Sequence, residues 1–258
     1  MTLHHELRGT GKPLLLVHGL GGSVRSWDTV AQPLARSRKL MLIDLPGHGG
    51  SPALPGAQTI AAFADAIQNF LEQQGLRGID LVGSSVGGRL VLELSRRGIG
   101  GHCVALDPGG FWRGWEARFL GLTLGASVRL VRLLQPVMPA LTRHTLTRAL
   151  LLAQLSVRPG ALDAGVVLTE MRSFAATPVF DAVLAELVKG PLQQGSTRVP
   201  GRITIGWGRN DRLLLARQAA RALDAFPSAT LHWFENCGHF PQWDQPDETV
   251  RVVLEAVA

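Results

Sequence analysis

Cysteine is scarce: the 258 residues hold only Cys103 and Cys237, far apart in the chain. That argues against a disulfide scaffold and fits a reducing cytoplasm. No stretch of 18 or more uncharged apolar residues occurs, so no membrane-spanning helix is expected. The first ten residues carry His4, His5, Glu6 and Arg8 where a signal peptide would need an apolar run. Runs of consecutive basic residues are missing too; the densest group is Arg36, Arg38 and Lys39. The formal charge of +6 is therefore read as solvated arginine, with no nucleic-acid partner expected. The histidines are scattered, with no pair four apart beside a carboxylate, so neither a metal nor a cofactor is expected.

What is present is material for a large core, since 46% of residues are hydrophobic. Three short apolar runs each end in a glycine-containing loop. They are Leu14–Val17 before His18-Gly19-Leu20-Gly21-Gly22, Leu40–Ile43 before Asp44-Leu45-Pro46-Gly47-His48-Gly49, and Ile79–Val82 before Gly83-Ser84-Ser85-Val86-Gly87-Gly88. Continuous apolar runs bounded by breakers predict strands buried on both faces. Between them, Ile60, Phe63, Ala64, Ile67, Phe70 and Leu71 recur at helical spacing, with Gly75 as the stop. Alternating strands and helices predict a parallel sheet. A fourth run, Cys103–Leu106, continues the alternation, which then breaks. Residues 111–190 read as mostly helical, strands return at 202–207 and 230–234 around a helix near 213–225, and a helix over 247–257 closes the chain. One sheet domain, 1–110 and 191–258, interrupted by a helical subdomain, 111–190, is the economical reading.

Gly83-Ser84-Ser85-Val86-Gly87 fits the pattern G-x-S-x-G between a strand and a helix. Such a sharp turn strains its central serine, and flanking side chains would clash, which explains the glycines. Ser85 would then stand at the N-terminus of the following helix, whose dipole favours developing negative charge. A serine hydroxyl needs a base to become a nucleophile. Of the eight histidines, His239 lies in a loop after the last predicted strand, where sheet enzymes assemble their sites. His232, inside that strand, reads as a sheet-face residue. The base needs a carboxylate to fix its tautomer, and Asp211 follows the strand ending at Trp207. Asp107 is the rival, although its Pro-Gly-Gly sequel suits a turn former. The N–H groups of Leu20 and Val86 are candidates for an oxyanion hole, each donor contributing ~3 kcal/mol to transition-state stabilisation. His18, in an HG dipeptide closing a strand, reads as a holder of loop shape.

Together with Gly206-Trp207-Gly208-Arg209-Asn210-Asp211 and Gly238-His239-Phe240, these motifs resemble the α/β-hydrolase superfamily, in its small, capped esterase, lipase and carbon–carbon hydrolase branch. The resemblance covers residues 7–110 and 195–258, in the order serine, acid, histidine. It implies an α/β-hydrolase fold: a mostly parallel sheet of seven or eight strands flanked by helices, with 111–190 as a helical cap and an abbreviated first hairpin. It also implies hydrolysis of a carboxylic ester through an acyl-enzyme, with Ser85 as nucleophile, His239 as base and Asp211 as its orienting acid. Serine at the turn argues against the family's dehalogenases and epoxide hydrolases, which use aspartate. Many carbon–carbon hydrolases carry asparagine and tryptophan where this chain has Ser84 and Phe240. Asp44 and His48 match a loop that is usually architectural.

The cap carries nine basic and five acidic side chains, +4 of the chain's +6. Its apolar residues exceed what one small subdomain needs, so some are expected to line an acyl pocket. Phe111, Trp112 and Trp115 are candidates there, with Phe119 and Leu120 beside them and Phe240 from the histidine loop. Arg113 or Arg118 is a candidate for meeting an anionic group on the substrate. Trp27 is expected behind the oxyanion loop. The partner expected is a small ester-like molecule with an apolar portion. Thioester, lactone or carbon–carbon cleavage and acyl transfer share the tetrahedral oxyanion and stay open beside ester hydrolysis. So does a ligand-binding protein with little turnover.

Overall fold

The computed structural model describes residues 2–258. Seven strands form one sheet in the order β1-β3-β2-β4-β5-β6-β7. They are β1 (His5–Arg8), β2 (Pro13–Val17), β3 (Lys39–Ile43), β4 (Asp80–Ser84), β5 (Cys103–Leu106), β6 (Ile203–Gly208) and β7 (Thr230–Phe234). All neighbours are parallel except β1, which runs antiparallel to β3 at one edge. Strand β1 is the abbreviated first element; only four residues long and mostly half-buried, it shows no apolar run to announce it.

The apolar runs form strands because both sheet faces are covered. Leu15, Val17, Met41, Ile43, Leu81 and Ala105 face one core; Leu14, Leu16, Leu40, Leu42, Val82 and Val104 face the other. Full burial of each such aliphatic side chain is worth about 1.5–3 kcal/mol, so continuous runs are the stable choice for central strands. The second core is roofed by α1 (Asp28–Ala35) and α11 (Pro246–Ala256), and Trp27 is buried within it. The first core holds α2 (Ile60–Gln73) and α3 (Val86–Arg96). Helix α2 starts where the Thr59 hydroxyl accepts the Ala62 N–H and stops before Gly75, at φ 70°.

The chain leaves β2 to one side to form β3, then returns to the other side to form β4. That reversal places a crevice between the C-terminal ends of β2 and β4, where open parallel sheets hold their ligands. The register pairs Val17 with Gly83, so the loops after both strands emerge side by side.

Between β5 and β6 stand α4 (Glu116–Leu133), α5 (Met138–Arg143), α6 (Thr145–Leu151), α7 (Ala164–Ala176) and α8 (Phe180–Lys189). Leu124, Val128, Met171, Phe180 and Val183 bury the inner stripes of these helices against the first core. Leu122, Leu133, Leu146 and Leu150 face solvent. Polar ties to the elements around the sheet are specific: Glu116 receives Arg217 at 2.5 Å and Arg221 at 2.6 Å, and the Leu155 carbonyl accepts the His239 N–H at 2.9 Å. Two short helices complete the chain, α9 (Gln218–Ala225) and α10 (Pro241–Asp244). The helix predicted near 213 begins later because the Asp211 carboxylate captures the N–H groups of Leu213 and Leu214, holding them in a turn. Among the described residues, no helix is long and apolar enough to cross a membrane. Both cysteines are free and buried.

Candidate active site

Ser85 closes β4 and opens α3 with φ 57° and ψ −115°, a conformation that costs an L-residue energy and persists only where its surroundings impose it. They do: its N–H donates to the Leu106 carbonyl at 2.9 Å, and α3 begins at once. The glycines on either side are obligatory. A Cβ on Gly83 would lie 2.2 Å from the Gly87 carbonyl oxygen, and one on Gly87 would lie 2.0 Å from that of Val17.

Asp211, His239 and Ser85 stand in series. His239 Nδ1 is 2.8 Å from Asp211 Oδ2, and Nε2 is 2.9 Å from Ser85 Oγ. His239 and Asp211 are buried, whereas Ser85 is half-buried. Asp211 Oδ1 accepts from Leu213 at 2.7 Å and Leu214 at 2.9 Å, which leaves Oδ2 for the ring. A carboxylate on Nδ1 keeps the proton there and frees the Nε2 lone pair for the hydroxyl.

The loop holding Leu20 is shaped by His18. Leu45 donates its N–H to His18 Nε2 at 3.0 Å, so the ring proton sits on Nδ1 and is given to the Gly19 carbonyl at 2.7 Å. Burial pushes His18 down to about 4, so it stays neutral in this role. A Cβ on Gly19 would lie 3.1 Å from Ser85 Cβ, so the loop abuts the serine. Among the described residues, the N–H groups of Leu20 and Val86 donate to no protein group; Val86 follows Ser85 directly, and Leu20 follows Gly19, which abuts Ser85. Asp44 is occupied in architecture, accepting from Val24 at 2.7 Å and Gly50 at 2.8 Å. His48 is buried, pushed down to about 3 by burial and by His18 nearby.

Asp107 also reaches the cluster. It is fully buried at φ 43°, and its Oδ1 accepts the Gly208 N–H at 2.9 Å. Burial, and then the charge of Asp211, hold its carboxyl well above the usual carboxylate range. Asp107, Asp211 and His239 present ligand-type atoms within 4.8 Å of one another, the arrangement here closest to a metal site. Its Nδ1 and Oδ2 are engaged with each other. His232 lies on the sheet face, 2.9 Å from Glu248 of α11.

The other residues singled out for substrate are dispersed. Phe240 flanks the site, its ring centroid 4.7 Å from that of His239. Phe111 and Trp112 are buried, the latter with the Arg89 guanidinium 5.8 Å above its ring. Arg113, Trp115 and Arg118 are exposed, and Trp115 stacks with Phe119 and Arg217. Two residues that local patterns do not reveal brace the site. Asp244 accepts from Gly238 at 2.7 Å, Val157 at 2.9 Å and the Ser156 hydroxyl, tying the histidine loop to the inserted helices. Glu170 of α7 is buried and accepts from Ser26 at 3.2 Å. Their partners lie 87 or more positions away or on the far side of a turn, beyond any spacing rule.

The Alpha/beta hydrolase family pattern matches residues 14–252, and the chain belongs to that family. A 2-hydroxy-6-oxononadienedioate/2-hydroxy-6-oxononatrienedioate hydrolase of Dechloromonas aromatica is 24% identical, over 99% of this chain and 90% of that protein. Among solved structures, a bacterial membrane phospholipase A superposes with a TM-score of 0.78 at 23% identity, covering 99% of this chain and 82% of its own. A thermophilic esterase from Thermogutta terrifontis gives 0.75 at 20% identity, covering 99% and 92%. These likenesses place the fold among hydrolases.

Proposed function

We propose that the chain is a serine carboxylesterase working through an acyl-enzyme. The observation that carries this reading is the unbroken Asp211–His239–Ser85 series at 2.8 and 2.9 Å, ending on a serine at a helix N-terminus. Ser85 Oγ attacks the ester carbonyl while His239 Nε2 takes its proton, and the Asp211 carboxylate steadies the imidazolium. The N–H groups of Leu20 and Val86 receive the oxyanion. As the tetrahedral species collapses, His239 returns the proton to the leaving alcohol. Water then attacks the acyl-enzyme with His239 as base, releasing the acid and Ser85.

In this reading residues 111–190 act as a cap, and the substrate is a small ester with an apolar part that meets Phe240. The two free, buried thiols suit a reducing cytoplasm. Ser85→Ala is expected to lose ester turnover by several orders of magnitude while its melting temperature stays near wild type. A fluorophosphonate probe should label the wild type at Ser85 and leave the variant unlabelled; an unlabelled wild type would refute the reading. Carbon–carbon hydrolysis is the second reading, favoured by the Dechloromonas relative. Ser84 and Phe240 weigh against it, and a ring-cleavage diketone offered beside simple esters decides between the two.

A further inference from the structure

Beside the candidate oxyanion loop lies a small cavity lined by Leu20, Ser26, Glu170, Phe240, Gln242 and Trp243, among others. It offers about 10 Å³ for the centre of a water-sized group, enough for one such group. Its walls are largely apolar, yet three of the residues that line it carry polar groups that the protein leaves wholly or partly unanswered. Glu170 is 2% exposed and accepts a single hydrogen bond, from Ser26 at 3.2 Å. Trp243 Nε1 and Gln242 Oε1 are buried without a partner. The Gln242 amide is oriented by its Nε2, which donates to Ser84 Oγ at 3.2 Å, so its oxygen is the free end.

The Trp243 donor and the Gln242 acceptor, each buried without a partner, cost about 1–3 kcal/mol per group unless water or a ligand answers them. The chemistry of the donor set narrows that ligand. An alkyl group answers none of the three. A carboxylate could accept from Trp243 but would meet an acidic side chain. An ammonium could serve Glu170 and Gln242 yet has no lone pair for the indole N–H. A neutral hydroxyl, of water or of a substrate alcohol that displaces it, both donates and accepts.

We propose that this cavity is a hydroxyl-binding subsite, selecting esters that carry an alcohol group close to the scissile carbonyl. The hydroxyl donates to Glu170 or Gln242 Oε1 and accepts from Trp243 Nε1–H. Proximity follows from Leu20, which lines the cavity and whose N–H is the candidate oxyanion donor. Burial pushes Glu170 up to about 7, so at neutral pH its carboxyl exists in both forms, and a hydroxyl pairs with either. The subsite rests on the esterase reading for its substrate, though its ligand chemistry is independent of it.

The test pairs each parent ester with polar counterparts. Methyl butanoate is compared with its 2-hydroxy, 3-hydroxy and 3-amino derivatives, and propyl butanoate with 2-hydroxyethyl butanoate, by acid release in a pH-stat. At least one hydroxylated ester should exceed its parent about ten- to hundredfold in kcat/KM. Glu170→Leu should bring that ratio close to one, Glu170→Gln should retain part of it, and Trp243→Phe should lower it severalfold. A second readout needs no turnover: the preferred hydroxylated ester should raise the melting temperature of Ser85→Ala more than its parent does, and Glu170→Leu should remove the difference. Hydrolysis of the parents with no hydroxyl preference, or a stronger preference for the amine, overturns the subsite and leaves the esterase reading intact. A hydroxyl-dependent thermal shift in a protein that hydrolyses none of the esters would overturn the esterase reading and leave the subsite. Absence of both overturns both.

Discussion

Strands β2 to β5 are buried on both faces, whereas each longer inserted helix buries one stripe and turns the other to water. In the sheet, each backbone position is fixed by neighbours on two sides, and that rigidity holds a strained serine. The inserted helices meet the sheet through a few polar ties and one apolar face. The two regions should therefore fail differently: damage near the sheet removes chemistry or folding outright, while damage to the helices shifts selectivity and pH response.

The largest expected effect lies at the sheet. Asp211→Asn should cut ester turnover about 10⁴-fold with little change in melting temperature, because the ring would take the wrong tautomer. Its neighbour sharpens the point: Asp107→Asn keeps an acceptor for Gly208 N–H where burial already disfavours the charged form, and turnover should fall by no more than about tenfold. Equal losses in the two variants, measured side by side, would mean that the acid has been assigned to the wrong strand end. Next comes Gly87→Ala, whose methyl would be driven onto the Val17 carbonyl. It should cost about 3 kcal/mol or more, read as lost soluble yield and an early denaturation midpoint.

Glu170 tests the inserted helices through pH. Its ordinary value is 4.5 and its value in the fold is about 7. Between these the folded chain keeps a proton that the unfolded chain has released, so its contribution to stability falls as pH rises from 4.5 to 7 and stays low above. Glu170→Gln should thus gain stability over wild type at pH 8, by about 3 kcal/mol at most, and little at pH 4. A gain independent of pH, in melting curves at the two values, would contradict a buried titrating carboxyl. Asp244→Ala releases donors on both sides of the boundary and should cost about 2 kcal/mol, with slower turnover as the histidine loop loosens. Leu146→Gln, on an outer stripe at 80% exposure, should leave the denaturation midpoint within about 0.5 kcal/mol of wild type.

Much of the sheet was legible in sequence because buried parallel strands declare themselves as uninterrupted apolar runs, as β2 to β5 do, while β6 and β7 were readable from shorter mixed stretches between breakers. Strand β1 did not, being short, polar and at an edge. Ser85, Asp211 and His239 could be picked out because each follows a strand end within a few residues of a glycine, where chain geometry writes itself into local composition. Glu170 could not, since in Thr169-Glu170-Met171-Arg172 it looks like any glutamate on an amphipathic helix; only packing shows which side it takes. Arg113 and Trp115 drew attention through charge and aromatic content, properties silent on direction, and both stand outside.

Strands β5 and β6 lie side by side, with Cys103 opposite Ile203, although almost a hundred residues separate them in the chain. Everything between leaves from and returns to adjacent points, and lengthening such an excursion is inexpensive, about 0.6 kcal/mol for each doubling of a flexible loop. The pairing of β5 with β6 therefore sets no tight limit on how much chain can stand between them.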